Sequence, residues 1–214
     1  EAEIASSPSQ YDLELMPGDI KYKDINGDGM INDDDIVPIG NTKNPELVYG
    51  FGLSAQWKGF DFSVLFQGTG KTDVILEGYS VFPFSEGEYG NVLTAVADPR
   101  NRWISREISG TPATERQDAI FPRLSYGARE NNQKWSTWWL RDGRFLRLKN
   151  LELGYTLPQT FTRKFKVERA RIYFLGYNLA CWAPFDWWDP EQGSVNGNVY
   201  PIQPERQLLT RYTT

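Results

Sequence analysis

Between residues 47 and 68 the chain alternates with a period of two. Leu47, Tyr49, Phe51, Leu53, Ala55 and Trp57 hold the odd positions, and Val48, Gly50, Gly52, Ser54 and Gln56 the even ones. After Lys58-Gly59, Phe60, Phe62, Val64 and Phe66 alternate with Asp61, Ser63, Leu65 and Gln67. Such alternation marks strands with one apolar face, and so short a link between two of them marks a β-hairpin. Strands are therefore expected over about 47–57 and 60–68. Alternation returns over 144–157, where the apolar phase changes. Leu146 and Leu148 are even, whereas Leu151, Leu153, Tyr155 and Leu157 are odd. A β-bulge near Lys149-Asn150 explains the switch, as would a strand leaving a membrane. Residues 169–182 are β-rich with no assignable inward face, and 205–214 alternate weakly. The fold class is all-β.

The remaining stretches are polar. Residues 1–46 are turn-rich, and 69–143 and 183–204 show no sustained period. So long a segment without elements is abnormal inside a compact domain, yet normal for an external loop of an outer-membrane barrel. A soluble sandwich gives the same alternation as a barrel wall. The strand length, and the placing of Trp57 and Phe60 beside the turn, fit a barrel with an interfacial aromatic girdle better. Five strands are too few to close one, since such barrels begin at about eight. The chain is expected to be a fragment of something longer, and its first ten residues have neither the basic start nor the apolar core of a secretory leader.

Composition removes several alternatives. There are no histidines among the 214 residues, which excludes Ser-His and Cys-His catalytic pairs and His-ligated metal sites. The single cysteine, Cys181, can form neither an internal disulfide nor a multi-Cys zinc site. A net charge of -5 and a pI near 4.9 argue against a nucleic-acid groove. Mean hydropathy is -0.53 and no apolar run reaches helix-spanning length, but a membrane strand needs only about 9–11 residues with one apolar face.

DINGDGMINDDD, residues 24–35, has the spacing of a calcium loop. Asp24, Asn26 and Asp28 fall at positions one, three and five, Gly29 at six, the Met30 carbonyl at seven, Asn32 at nine and Asp35 at twelve. Aspartate at the twelfth position is shorter than the usual glutamate, and no helix pattern flanks the loop. The duller reading is an acidic surface turn. Gly50 to Ala55 matches a dinucleotide fingerprint by letters, but a turn and a second strand follow where a helix is required. Asp186 with Asp189, or Glu86 with Glu88, are candidate glycosidase carboxylates with nothing to fix their separation. Trp138, Trp139, Trp187 and Trp188 are candidate platforms for sugar rings, against which stand an interfacial belt and plain loop packing.

Four stretches carry a family resemblance: PGDIKYKDINGDGMINDDD (17–35), NPELVYGFGLSAQWKGFDFSVLFQG (44–68), STWWLRDGRFLRLKNLELGYTLP (136–158) and ARIYFLGYNLACWAPFDWWDPE (170–191). In these the chain resembles the SusC/RagA family of TonB-linked outer-membrane transporters. The resemblance implies the C-terminal strands of a large transmembrane β-barrel of about 22 strands. Residues 1–46 would form an extracellular loop carrying the calcium-type turn, and 47–214 the barrel strands with long loops at 69–143 and 183–204. It further implies import of oligosaccharides or peptides across the bacterial outer membrane, without catalysis. The implied partners are a SusD-like surface lipoprotein, membrane lipid, and TonB through a part outside this chain. Long loops would face outward, and Lys58-Gly59 and the 158–168 connector the periplasm. One departure stands out: members usually finish on a strand ending in an aromatic residue, whereas PERQLLTRYTT places Arg211 there. The rival class is a soluble secreted β-domain binding glycan or calcium.

Overall fold

The computed structural model describes residues 2–77, 81–84, 92–126, 130–185, 189–191 and 206–207. Among these, the strands are β1 (Ser9–Gln10), β2 (Met30–Ile31), β3 (Val37–Pro38), β4 (Leu47–Trp57), β5 (Phe60–Gly70), β6 (Asp73–Ile75), β7 (Leu140–Asp142), β8 (Phe145–Thr156), β9 (Arg171–Trp182) and β10 (Arg206–Gln207). The chain divides into two units. One gathers residues 1–40, 75–141 and 204–214, and the other residues 41–74 and 142–203. The units interleave in sequence, which the expected split between 46 and 47 did not foresee.

The second unit is a four-stranded antiparallel sheet in the order β4-β5-β8-β9. β4 and β5 pair without a break from Leu47↔Gly70 to Trp57↔Phe60. Lys58 and Gly59 both have positive φ, 48° and 90°, as a tight hairpin turn requires. A Cβ on Gly59 would also lie 2.9 Å from the Thr156 carbonyl of β8, so glycine meets two constraints there. The phase change in β8 is a bulge. Lys149 is skipped in its pairing with both neighbours, Leu65↔Asn150 being followed by Phe66↔Leu148. On β9, Asn178 and Leu179 are skipped opposite it, and Asn178 takes φ 51°.

The first unit was expected as loops and is folded instead. Ile20, Tyr22, Ile31, Leu76, Val96, Phe121 and Trp139 are buried together with the polar Gln10, Asp35, Asn131, Asn132 and Ser136. These come one or two at a time from turns and from single-turn helices such as Thr94–Ala97 and Glu130–Gln133. No period of two or 3.6 arises, and that is why the segment reads as structureless. A hydrogen-bonded network joins the two ends of the unit's sequence. The Gln10 amide donates to the Ile20 carbonyl (3.0 Å) and to Asn131 Oδ1 (2.8 Å), and accepts from Tyr22 N (2.7 Å). Asn132 accepts from Ile20 N and donates to Asp19, which Arg123 also binds at 2.7 Å. β10 pairs antiparallel with β3 in this unit and does not join the four-stranded sheet, a correction to the strand expected over 205–214. Arg211 lies outside the described residues.

Candidate functional site

Register fixes the two faces of the sheet, because residues directly opposite share a face. Phe51 pairs with Phe66, Leu53 with Val64 and Ala55 with Phe62. Phe62 pairs in turn with Leu153, and Leu153 with Phe174. The bulge at Lys149 keeps Leu146 and Leu148 on this face, opposite Trp182 and Ala180. Everything on it from Tyr49 to Trp182 is aromatic, aliphatic or glycine. Yet Phe51, Leu53, Trp57, Phe60, Ile172, Phe174 and Trp182 are each more than half exposed. Covering one such side chain contributes about 1.5–3 kcal/mol, and patches of this extent mark a surface made to be covered.

The opposite face carries charge. Arg171 on β9 donates to Asp61 on β5 through Nε (3.1 Å) and through a terminal nitrogen, and also binds Glu152 on β8. Gly154 lies between, and a Cβ there would run into the Asp61 carboxylate and the guanidinium. Tyr173 sits under the same guanidinium, 5.0 Å from its ring centre. Towards the other end, the buried Arg147 binds Asp189 and Glu191, and Lys149 reaches Glu191 at 2.6 Å. The Glu191 amide and the Arg147 guanidinium together hold the Asp189 carboxyl below the usual carboxylate range. Sequence reasoning missed both clusters. Their partners lie far apart in the chain, on different strands or in the turn after β9, and Asp189 had been weighed only as a catalytic acid. Asp186, Glu86 and Glu88 lie outside the described residues.

The other candidates divide. Trp139 is buried, donates to the Asn132 carbonyl at 2.9 Å and packs on Phe82 and Phe121. It presents no face to a sugar, so its expected role is corrected to a core residue. Trp138 is partly exposed and donates to the Ile120 carbonyl. Trp187 and Trp188 fall outside the described residues. In the acidic loop the side chains close on the loop's own amides. Asp24 accepts from Gly27 N (2.6 Å) and Gly29 N (2.9 Å), Asn26 from Asp28 N, and Asp28 from Met30 N. The buried Asp35 accepts from Ile25 N (2.7 Å) and Asn32 N (3.0 Å), while Asn32 caps Asp34 N. Burial opposes ionisation of Asp35, but amides of Asn32, Ile25 and Asn26 outweigh it and leave the carboxyl below its ordinary value. Among the described residues no three His, Cys, Asp or Glu side chains are grouped as a metal site.

No family model matches the sequence. TonB-dependent receptor P26 of Formosa agariphila is 33% identical over 181 residues, which make up 85% of this chain and 17% of that protein. TonB-dependent receptor P3 of the same organism is 27% identical over 182 residues, 85% of this chain and 16% of its own length. The chain therefore spans about one sixth of the curated relatives it matches. Among solved structures, the RagAB peptide importer in its open-open state superposes with a TM-score of 0.55 at 25% identity, over 85% of this chain and 19% of that one. A structure of the RagAB peptide transporter gives 0.51 at 26% identity over 72% of this chain and 16% of that one. With a third of aligned positions shared with one TonB-dependent receptor along most of its own length, and the strand architecture of the RagAB importer beneath them, this chain is similar to TonB-linked outer-membrane transporters of the SusC/RagA type.

Proposed function

We propose that this chain supplies a stretch of outer-membrane barrel wall, and a second folded unit, to a TonB-dependent transporter that imports oligosaccharides or peptides. One observation carries the reading: a four-stranded sheet with a continuous, uncovered aromatic and aliphatic face backed by a face of paired charges. In a bilayer the first face meets lipid without cost and the second lines a watered lumen. A soluble β-domain would have to cover that apolar face with a second layer. The outer strands β4 and β9 each pair on one side among the described residues, as pieces cut from a longer wall would.

On this reading the unit built from residues 2–40 and 75–141 lies outside the cell, where a SusD-like surface lipoprotein closes over the barrel. TonB engages a part of the protein outside this chain. The reading is transport, with oligosaccharide or peptide as cargo, and the peptide arm draws on the RagAB likeness. An epitope inserted after Gly110, at the end of an exposed helix, tests the placement in the full-length transporter. Antibody should bind it on whole cells. Binding only after the outer membrane is broken would reverse the topology, and recovery of the protein in the soluble fraction would overturn the wall itself.

A further inference from the structure

The end of the sheet that holds the Lys58-Gly59 turn also holds the connector between β8 and β9. Thr156 N donates to the Gly59 carbonyl at 2.7 Å, and Leu157 N to the Ala170 carbonyl at 2.9 Å. This end is unlike the rest of the acidic chain. Lys58, Arg163, Lys164, Lys166 and Arg169 stand there with Glu168 and with Asp61, which Arg171 already binds. Among the described residues Lys58, Lys164, Lys166 and Arg169 form no ion pair, and Arg163 donates to the side-chain oxygen of Gln159. Between the charges, Phe161 and Phe165 pack on each other with ring centres 5.5 Å apart while remaining 50% and 67% exposed. Trp57 is 69% exposed beside Lys58, whose ammonium lies 4.9 Å from its ring centre.

A hollow of about 610 Å³ opens at the same end. Its wall includes Trp57, Phe60, Phe62, Leu153, Ile172 and Phe174, residues of the apolar face. An apolar trough at an end of the sheet that carries ammonium and guanidinium groups without ion pairs suits an acyl chain with a phosphate beside it.

We propose that this end of the sheet is a binding site for an anionic phospholipid, with the headgroup phosphate held by Lys58 and the basic connector and one acyl chain lying in the hollow. The site rests on the wall reading above, since the hollow is part of the face placed in lipid. Anionic phospholipid is the one occupant that meets both halves at once. A free phosphate would use the cations alone, and an acidic protein would leave the hollow unfilled.

The test uses the full-length transporter in nanodiscs of phosphatidylethanolamine with or without phosphatidylglycerol, followed by native mass spectrometry of retained lipid. The parent protein should retain phosphatidylglycerol selectively. Neutralising Arg163, Lys164, Lys166 and Arg169 together to Gln should weaken that selectivity by about tenfold or more, whereas K164R with K166R should preserve it. Equal retention in the neutralised protein overturns the site. So does equal displacement of the lipid by inorganic phosphate at moderate concentration, which would leave a simple anion site. In the same nanodiscs a bimane on Leu53→Cys reports chains brominated in the lipid. Quenching without selectivity sinks this proposal alone, and absence of quenching sinks the wall reading.

Discussion

Arg171 reaches across a whole strand to bind Asp61. The two stand on β9 and β5, with β8 between them, and the guanidinium passes over Gly154 where no side chain blocks it. It also binds Glu152 on the intervening strand, so one cation neutralises two carboxylates that would otherwise face each other on the polar wall.

Gly154→Val should therefore act through charge as well as bulk. The added carbons displace the Arg171 head and leave Asp61 and Glu152 without their shared partner. The temperature at which the folded barrel converts to its slower-migrating unfolded form on gels should fall by several degrees. Gly154→Val combined with Asp61→Asn should recover part of the loss. No change in either variant would mean that the crossing pair is incidental.

The bulge residue is expected to be dispensable for the assignment of the two faces. Deleting Lys149 joins Leu148 to Asn150 in unbroken alternation, so Leu146 and Leu148 stay on the apolar face and Arg147 on the charged one. The deletion variant and Lys149→Ala should both assemble, as scored by heat-modifiable migration. Failure of the deletion alone would show that the bulge itself is required.

How much of this was legible depended on where the period survived. β4 and β5 could be read to the residue at their shared turn, because aromatic and small residues alternate without a break. The bulge in β8 was legible because it shifts a leucine series by one. The faces of β9 were not: Tyr173, Leu175 and Tyr177 are as apolar as Ile172 and Phe174 opposite, and the skipped pair Asn178-Leu179 interrupts the series without changing its phase. The first unit was illegible for a different reason. Its interior is tied by Gln10, Asn131 and Asn132, residues a sequence reading assigns to surface loops, and their partners are more than a hundred positions away.

That network sets the stability of the first unit. Gln10→Ala would strip partners from Tyr22 N and Asn131 Oδ1 and remove one donor from the Ile20 carbonyl, at about 1–3 kcal/mol for each group left unpaired. Hydrogen exchange read by mass spectrometry should show faster exchange in peptides covering residues 10–22 and 131–139. Peptides from β4 and β5 should be unaffected.

Asp35 gives the acidic loop a pH dependence of defined sign. Its carboxyl is depressed in the folded state, so the stabilisation it contributes is present above the ordinary carboxylate pKa of about 3.9. That stabilisation is lost as pH falls through the lower, folded value. Protection of the Ile25 and Asn32 amides should hold from neutral pH down to the ordinary carboxylate range and fail below it. Asp35→Asn should lower protection at neutral pH and flatten the dependence.

The account rests most on the assignment of the sheet's two faces, and single cysteines test it directly. In the full-length transporter with Cys181→Ser, cysteines at Leu53, Ser54, Phe62 and Ser63 would be exposed to a polar maleimide in intact membranes. Ser54 and Ser63 should label and Leu53 and Phe62 should not, with all four labelling after denaturation. Labelling of Phe62 as readily as Ser63 before denaturation would contradict the account.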